Sequence, residues 1–171
     1  NTIPIHPSTI GVLSTKLNLP VRKFPNPSTA RKMLEEAIKD WELLKNEGSD
    51  PGKIRAAKTK VLGAETQLKY SQLSSIKDDF KGEAQIITFG DLIIYTIPGE
   101  PYNEIVSHIK AAFPENHVIV LSYANDYLGY FPIQGKEADD TYETLKSLYQ
   151  VTIGEEIENQ SVESINEFIR K

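Results

Sequence analysis

Glu100 stands between a glycine and a proline in "IPGEP" (97–101), where an apolar run gives way to an amphipathic one. A carboxylate there has two readings. It can mark a helix start, where unpaired N–H groups and the helix dipole favour negative charge by about 0.3–1 kcal/mol, or it can hold a ligand. Downstream, "ANDYLGY" (124–130) carries Asn125, Asp126, Tyr127 and Tyr130. Asn125-Asp126 also reads as an ordinary turn pair, and the two tyrosines as turn and core-edge aromatics. Glu100 with Asp126 could form the acid pair of a metal-free glycosidase, but two acids alone are a weak signal. His6, His108 and His117 are isolated and lack the i, i+4 spacing of a helical zinc motif.

The surrounding pattern says how these groups are positioned. "LIIYTI" (92–97) and "HVIVLSY" (117–123) read as short buried strands, and 101–112, with Ile105, Ile109 and Ala112 inward, reads as the helix between them. Strand, helix, strand is a βαβ unit, whose strands are parallel and end at the same sheet edge. Glu100 leaves the carboxyl end of the first strand and the 124–130 loop leaves that of the second, so both should open into one crevice, the usual ligand position in open α/β sheets.

The rest of the chain supplies a scaffold. Leu13, Leu17, Leu19 and Val21 alternate with Ser14, Lys16 and Asn18 as in a half-buried strand. Asn26-Pro27 opens a helix with Ala30, Met33, Leu34, Ala37, Ile38, Trp41 and Leu44 on one stripe. "NEGSDPGK" (46–53) closes it at Gly48 and opens another at Asp50-Pro51, with Ile54, Ala57, Val61, Ala64 and Leu68 on its apolar face, extending toward Ile76. "QIITF" (85–89) joins "LIIYTI" through Gly90-Asp91, a two-residue link suited to a type II′ hairpin turn. Two tail helices are predicted, near 141–149 and from Ser161 onward. The predicted fold class is α/β: a partly parallel mixed sheet with a βαβ unit and a packed helical hairpin. The 171 residues are expected to form a single domain or fragment, with the hairpin at 25–81 and an α/β core bearing the site motifs at 84–150.

Composition narrows the function. The chain is 39% hydrophobic and 25% charged, as in ordinary soluble globular proteins. Its net charge of -5 disfavours nucleic acid as a partner. No apolar run approaches the roughly 20 residues of a transmembrane helix. With no cysteine, any metal must be held by His, Asp, Glu or Tyr. That absence fits cytoplasmic and bacterial secreted proteins alike. Lacking an initiator Met, the chain reads as a piece of something longer.

Taken together, "IPGEP", "YANDYLGYFP" (123–132) and "TYETL" (141–145) resemble the carboxyl-terminal part of the catalytic domain of the neutral/alkaline non-lysosomal ceramidase family. The separations match too: a Gly-Glu strand exit, a crossover, an Asn-x-Tyr-x-x-Tyr loop, and Tyr142-Glu143 twelve residues past Tyr130. The resemblance is carried by 92–145, and the preceding hairpin is similar only in layout. It implies a zinc amidohydrolase that splits the N-acyl bond of ceramide into fatty acid and sphingosine. Carried over, Glu100 and Tyr130 become zinc ligands, Tyr142 the tyrosine that hydrogen-bonds the substrate's amide oxygen, and Asn125 and Tyr127 residues that bind substrate or support the site. The family's other two zinc ligands are histidines from an upstream segment with no counterpart here. Alone, the chain is therefore expected to bind no zinc and hydrolyse nothing. Pro101-Tyr102 and "GYFP" depart from the better-known ceramidases, so the implied substrate is an N-acyl lipid or related amide rather than ceramide alone. A different reading from the same residues is a non-catalytic α/β binding or structural module.

Overall fold

The computed structural model describes residues 10–73, 79–135 and 141–170. In chain order the elements are β1 (Ile10–Pro20), α1 (Pro27–Asn46), α2 (Pro51–Ser71), β2 (Asp79–Phe89), β3 (Leu92–Thr96), β4 (Glu100–Pro101), α3 (Asn103–Ala111), β5 (His117–Leu121), β6 (Tyr130–Phe131), α4 (Tyr142–Lys146) and α5 (Ile153–Ile169). The main sheet has the order β1-β2-β3-β5; β1/β2 and β2/β3 are antiparallel, and β3/β5 is parallel. The fold is thus mixed α/β with a parallel pair joined through α3.

Local chemistry accounts for most boundaries. In β1, Leu17 and Leu19 are fully buried while Ser14, Lys16 and Asn18 are exposed, the alternation of a strand with one covered face. At the β2–β3 link Gly90 has φ +62° and Asp91 is not in the left-handed region, which matches a type II′ turn, since type I′ would need both. Asn26 caps α1 by accepting from the Thr29 N–H at 3.0 Å, and Asp50 caps α2 by accepting from Gly52 at 2.8 Å and Lys53 at 3.3 Å. Between them Gly48 adopts φ +65°, where an L side chain would be strained.

The core lies on one face of the sheet. Ile105 and Ile109 of α3 and Ile153, Ile157 and Ile165 of α5 meet Leu17, Leu19, Ile86, Ile93 and Tyr95 from the strands, all fully buried. Each such side chain contributes about 1.5–3 kcal/mol by leaving water. On the opposite face, the register Val12↔Ile87, Ile87↔Ile94 and Ile94↔Ile119 aligns apolar residues across all four strands, and Val12 and Ile119 are exposed at its two edges.

Several elements differ from the pattern-based expectation. The helix expected over 101–112 begins at Asn103, because Glu100 N–H and Tyr102 N–H donate to Gly129 and Phe131 carbonyls and draw 100–101 into a strand. Pro101 has no N–H to contribute, so it sits without penalty between those two donors. Ala112 is exposed beyond the last turn, and Phe113 is the buried residue instead. The strand at 117–121 is an edge strand, with Ile119 and Leu121 exposed, rather than a buried one. In the hairpin only Ala30 of the α1 stripe is buried, because α1 packs on α2 and little else. α2 is buried toward its carboxyl end, at Val61, Gly63, Ala64 and Thr66, where it meets α4; Ile76 lies outside the described residues. The helix expected over 141–149 stops at Lys146, since Tyr149 turns to bridge Val21. α5 begins at Ile153, well before Ser161, because Ile153, Ile157, Ser161 and Ile165 form one buried i, i+4 stripe.

Truncating that stripe should be costly. Ile157→Ala is expected to lower stability to denaturant by about 2–5 kcal/mol, whereas Met33→Ala on the exposed hairpin should change it by under about 0.5 kcal/mol. Equal effects would mean that α5 does not carry the core.

Candidate active site

The site grows from two strand exits that pair with each other. After Thr96 the chain leaves β3 through Ile97, Pro98 and Gly99, and after Leu121 it leaves β5 toward Gly129. Ala124 N–H donates to Ile97 O (3.3 Å), Tyr123 N–H to Gly99 O (3.1 Å), Leu128 N–H to Pro98 O (2.8 Å) and Glu100 N–H to Gly129 O (2.8 Å). The exits then become β4 and β6, a parallel pair in which Glu100 is the register partner of Tyr130. Register partners in a parallel pair project to the same side, so the acid and the phenol share one side of the strand pair.

Such close approach restricts the backbone. A Cβ on Gly99 would stand 2.5 Å from Phe131 Cε2 and 2.6 Å from Gly129 O, distances that no side chain fits. Tyr123 (φ 58°), Asn125 (φ 73°) and Gly129 (φ 90°) lie in the left-handed region. For a bulky residue such as Tyr123 that conformation costs about 1–2 kcal/mol and must be held by its surroundings. Asn125 helps hold it, since its Nδ2 donates to Thr96 Oγ1 at 3.1 Å and anchors the loop to the end of β3. From below, Ser147 Oγ donates to Tyr130 O at 3.0 Å and Tyr149 OH to Leu128 O at 2.6 Å.

Around Glu100 the side chains form a phenolic cluster. Tyr127 OH donates to Glu100 Oε1 at 2.6 Å, the short length of a charge-assisted bond. Tyr123 stacks on Tyr127, with ring centroids 5.6 Å apart and planes within 5°. Tyr142, the first residue of α4, meets Tyr130 edge-on at 5.8 Å. Thr141 caps that helix by accepting from Thr144 N–H, and its hydroxyl lies 2.9 Å from Tyr102 OH, tying α4 to the corner after β4. The carboxylate raises its neighbours' pKa values, because ionising a phenol beside a negative charge is unfavourable. Tyr123 is pushed up to about 12, chiefly because Glu100 is ready to accept from the protonated phenol. Tyr127 is raised for the same leading reason, and Tyr130 first by burial and then by the charge of Glu100.

Glu100, Tyr127, Tyr130 and Tyr142 therefore come together, while Asn125 serves the loop rather than the open face. Glu100 does not start a helix: α3 is capped two residues later at Tyr102, without a side-chain bond. Tyr127, Tyr130 and Tyr142 also line one cavity, as the shared strand edge predicts, while Tyr123, Tyr127 and Tyr142 remain 59%, 54% and 40% exposed. Sequence reasoning missed Tyr123, although four residues before Tyr127 it lies within the same motif, and it missed Thr96, whose only sequence signal is its place at a strand end. His108 pairs with Glu158 at 2.9 Å and His117 lies 3.6 Å from Asp91, so neither joins the cluster; His6 lies outside the described residues.

A carboxylate with phenols beside it and no ion-pair partner among the described residues offers oxygen donors to a cation. As a zinc site it is a partial donor set, because catalytic zinc takes three protein ligands that include nitrogen or sulfur, or two histidines with a carboxylate. Among the described residues no three His, Cys, Asp or Glu side chains gather to complete one.

No protein-family model matches the chain, and no curated protein is significantly similar to it. Among solved structures it is similar to a ceramidase complexed with C2, at 23% identity with a TM-score of 0.46, over 51% of this chain and 15% of that one. It is also similar to neutral ceramidase from Pseudomonas aeruginosa, at 24% identity with a TM-score of 0.44, over 48% of this chain and 14% of that one. This likeness is one of fold, over about half of the chain.

The titration of Tyr123 tests the cluster. Replacing Glu100 by Gln removes the charge that holds the phenol protonated, so the Tyr123 midpoint should fall from about 12 toward its unperturbed ~10, followed by NMR of the tyrosine ring carbons. A phenol raised in the folded state favours folding while protonated; its contribution is complete below pH ~10 and is lost as pH climbs through the folded value. An unmoved midpoint in Glu100→Gln would mean the carboxylate is not the cause.

Proposed function

We propose that the chain forms the carboxyl-terminal portion of a zinc-dependent amidohydrolase resembling the neutral ceramidases, one that cleaves the N-acyl amide bond of ceramide or a related N-acyl compound. The observation that carries this reading is the in-register pairing of Glu100 with Tyr130, with Tyr127 and Tyr142 beside them. It is supported by the motif resemblance, which singles out the same residues.

Glu100 and Tyr130 would hold the zinc together with two histidines from an upstream segment of the same polypeptide. When bound, zinc would supply a Lewis acid and lower the pKa of water toward neutrality. The chain's own residues do the rest. Tyr127 donates to Glu100 Oε1 and so fixes the carboxylate's orientation, the role of an outer hydrogen-bond partner at a metal site. A cation at Glu100 would also reverse the local field, making loss of the Tyr130 proton easier. Tyr142 is partly exposed, with its ring braced edge-on by Tyr130. Its hydroxyl is proposed to donate to the amide oxygen as negative charge develops there. Asn125, bonded to Thr96, keeps the loop bearing Tyr127 and Tyr130 in register.

The experiment uses the longer polypeptide that joins this chain to the histidine-bearing segment. Glu100→Ala and Tyr130→Phe should each abolish fatty-acid release and bound zinc together. Tyr142→Phe should keep the metal and lose about 10²–10³ in turnover, and Tyr127→Phe should weaken zinc binding about 10–100-fold. A polypeptide that folds without stoichiometric zinc, and in which Glu100→Ala changes nothing, would instead be a non-catalytic module of the same fold.

A further inference from the structure

Beside the phenolic cluster, between α2, β6 and α4, lies a cavity of about 420 Å³, within the size range of small-molecule sites (roughly 300–1,000 Å³). Half of its lining residues are aromatic, with Tyr70, Tyr130, Tyr142 and Tyr149 among them, and Lys69 and Lys146 also line it. No carboxylate is among its lining residues, although the chain as a whole carries a net charge of -5. Neither lysine has an ion-pair partner among the described residues; Lys69 is exposed, its Nζ 5.4 Å from the Tyr70 ring centroid, and Lys146 is half-buried. By contrast, Lys81 on β2 pairs with Asp79 at 2.7 Å. Two uncompensated ammonium groups against apolar aromatic walls suit a ligand that is apolar along its length and anionic at one end.

We propose that this cavity binds the anionic end of an N-acyl compound, with a carboxylate on the amine portion held by Lys69 and Lys146. This rests on the amidohydrolase reading, in which the scissile amide lies beside Tyr142, itself both a member of the phenolic cluster and a wall of the cavity. The substrate class is then an N-acyl amino acid rather than a neutral ceramide. The lysines select by charge and the tyrosines by apolar contact.

Binding can be read on this chain without metal, by calorimetric titration with N-lauroylglycine below its micellar concentration. Saturable one-to-one binding is expected, about tenfold tighter than for the neutral N-lauroylethanolamine, because exposed or half-exposed ion pairs each contribute modestly. The preference should shrink as salt is raised and vanish in the Lys69→Gln/Lys146→Gln double variant, while Lys53→Gln, away from the cavity, should retain it. Equal affinity for the two amides in the unaltered chain, or a preference that survives the double variant, overturns the proposal, and the salt series decides should the double variant fail to fold. Laurate binding as tightly as N-lauroylglycine overturns the assignment of the carboxylate to the amine portion. The two readings fail separately. A longer polypeptide that hydrolyses neutral and anionic amides equally leaves the enzyme standing without this selectivity. One that hydrolyses no amide, beside a chain that still binds N-lauroylglycine selectively, leaves the cavity standing without the enzyme.

Discussion

The arrangement depends on two chain segments lying closer than side chains allow. After β3 and β5 end, their exits remain hydrogen-bonded from Ile97 to Phe131, and this pairing exists because Gly99 has no Cβ to strike Phe131 or the Gly129 carbonyl. Because the exits run parallel, Glu100 and Tyr130 become register partners. Parallel strands deliver their ends to a common edge in any α/β sheet; here the ladder continues past that edge and fixes which residues face each other.

Around this ladder, buried parts hold exposed ones. Tyr149 and Ser147 are buried, and they hydrogen-bond the carbonyls of Leu128 and Tyr130. Tyr127 and Tyr142, whose hydroxyls are proposed to act, stand in solvent. Strain concentrates in the same loop, where Tyr123 keeps a left-handed backbone while its ring stacks on Tyr127. Strained, solvent-facing groups on a rigid base are common at functional sites. Electrostatics works in the same direction. A carboxylate with no ion-pair partner among the described residues makes the surrounding phenols harder still to ionise, so beside it they act as hydrogen-bond donors.

The helical hairpin follows different rules. Its two helices are N-capped by Asn26 and Asp50 and Gly48 makes its turn, yet most of its apolar stripe is only half-buried. Trp41 stabilises the far end locally, with Lys58 and Lys45 ammonium groups 4.2 and 4.5 Å from its ring centroid. The carboxyl-terminal half of α2 joins the rest, where Gly63 lets Leu145 approach. The hairpin thereby supplies one wall of the cavity through Thr66, Lys69 and Tyr70.

Whatever depends on neighbours along the chain was legible in the sequence. Alternation announced β1, the Asn-Pro and Asp-Pro pairs announced both hairpin helices, Gly90-Asp91 announced the tight turn, and strand-helix-strand order announced a parallel pair whose ends bring Glu100 near the tyrosine loop. These signals are legible because backbone preference and side-chain period act over a few residues. Tertiary structure alone decided what depends on residues far apart. The pairing of 100–101 with 130–131 converted an expected helix start into a strand, because distant carbonyls captured the Glu100 and Tyr102 N–H groups. Burial of Ser161 and Gly154 inside α5 was hidden, because small and polar residues carry no apolar signal until a helix packs on them. Tyr123 joined the cluster, and Lys69 came to line a cavity with Lys146, only through contacts between segments that no local pattern encodes.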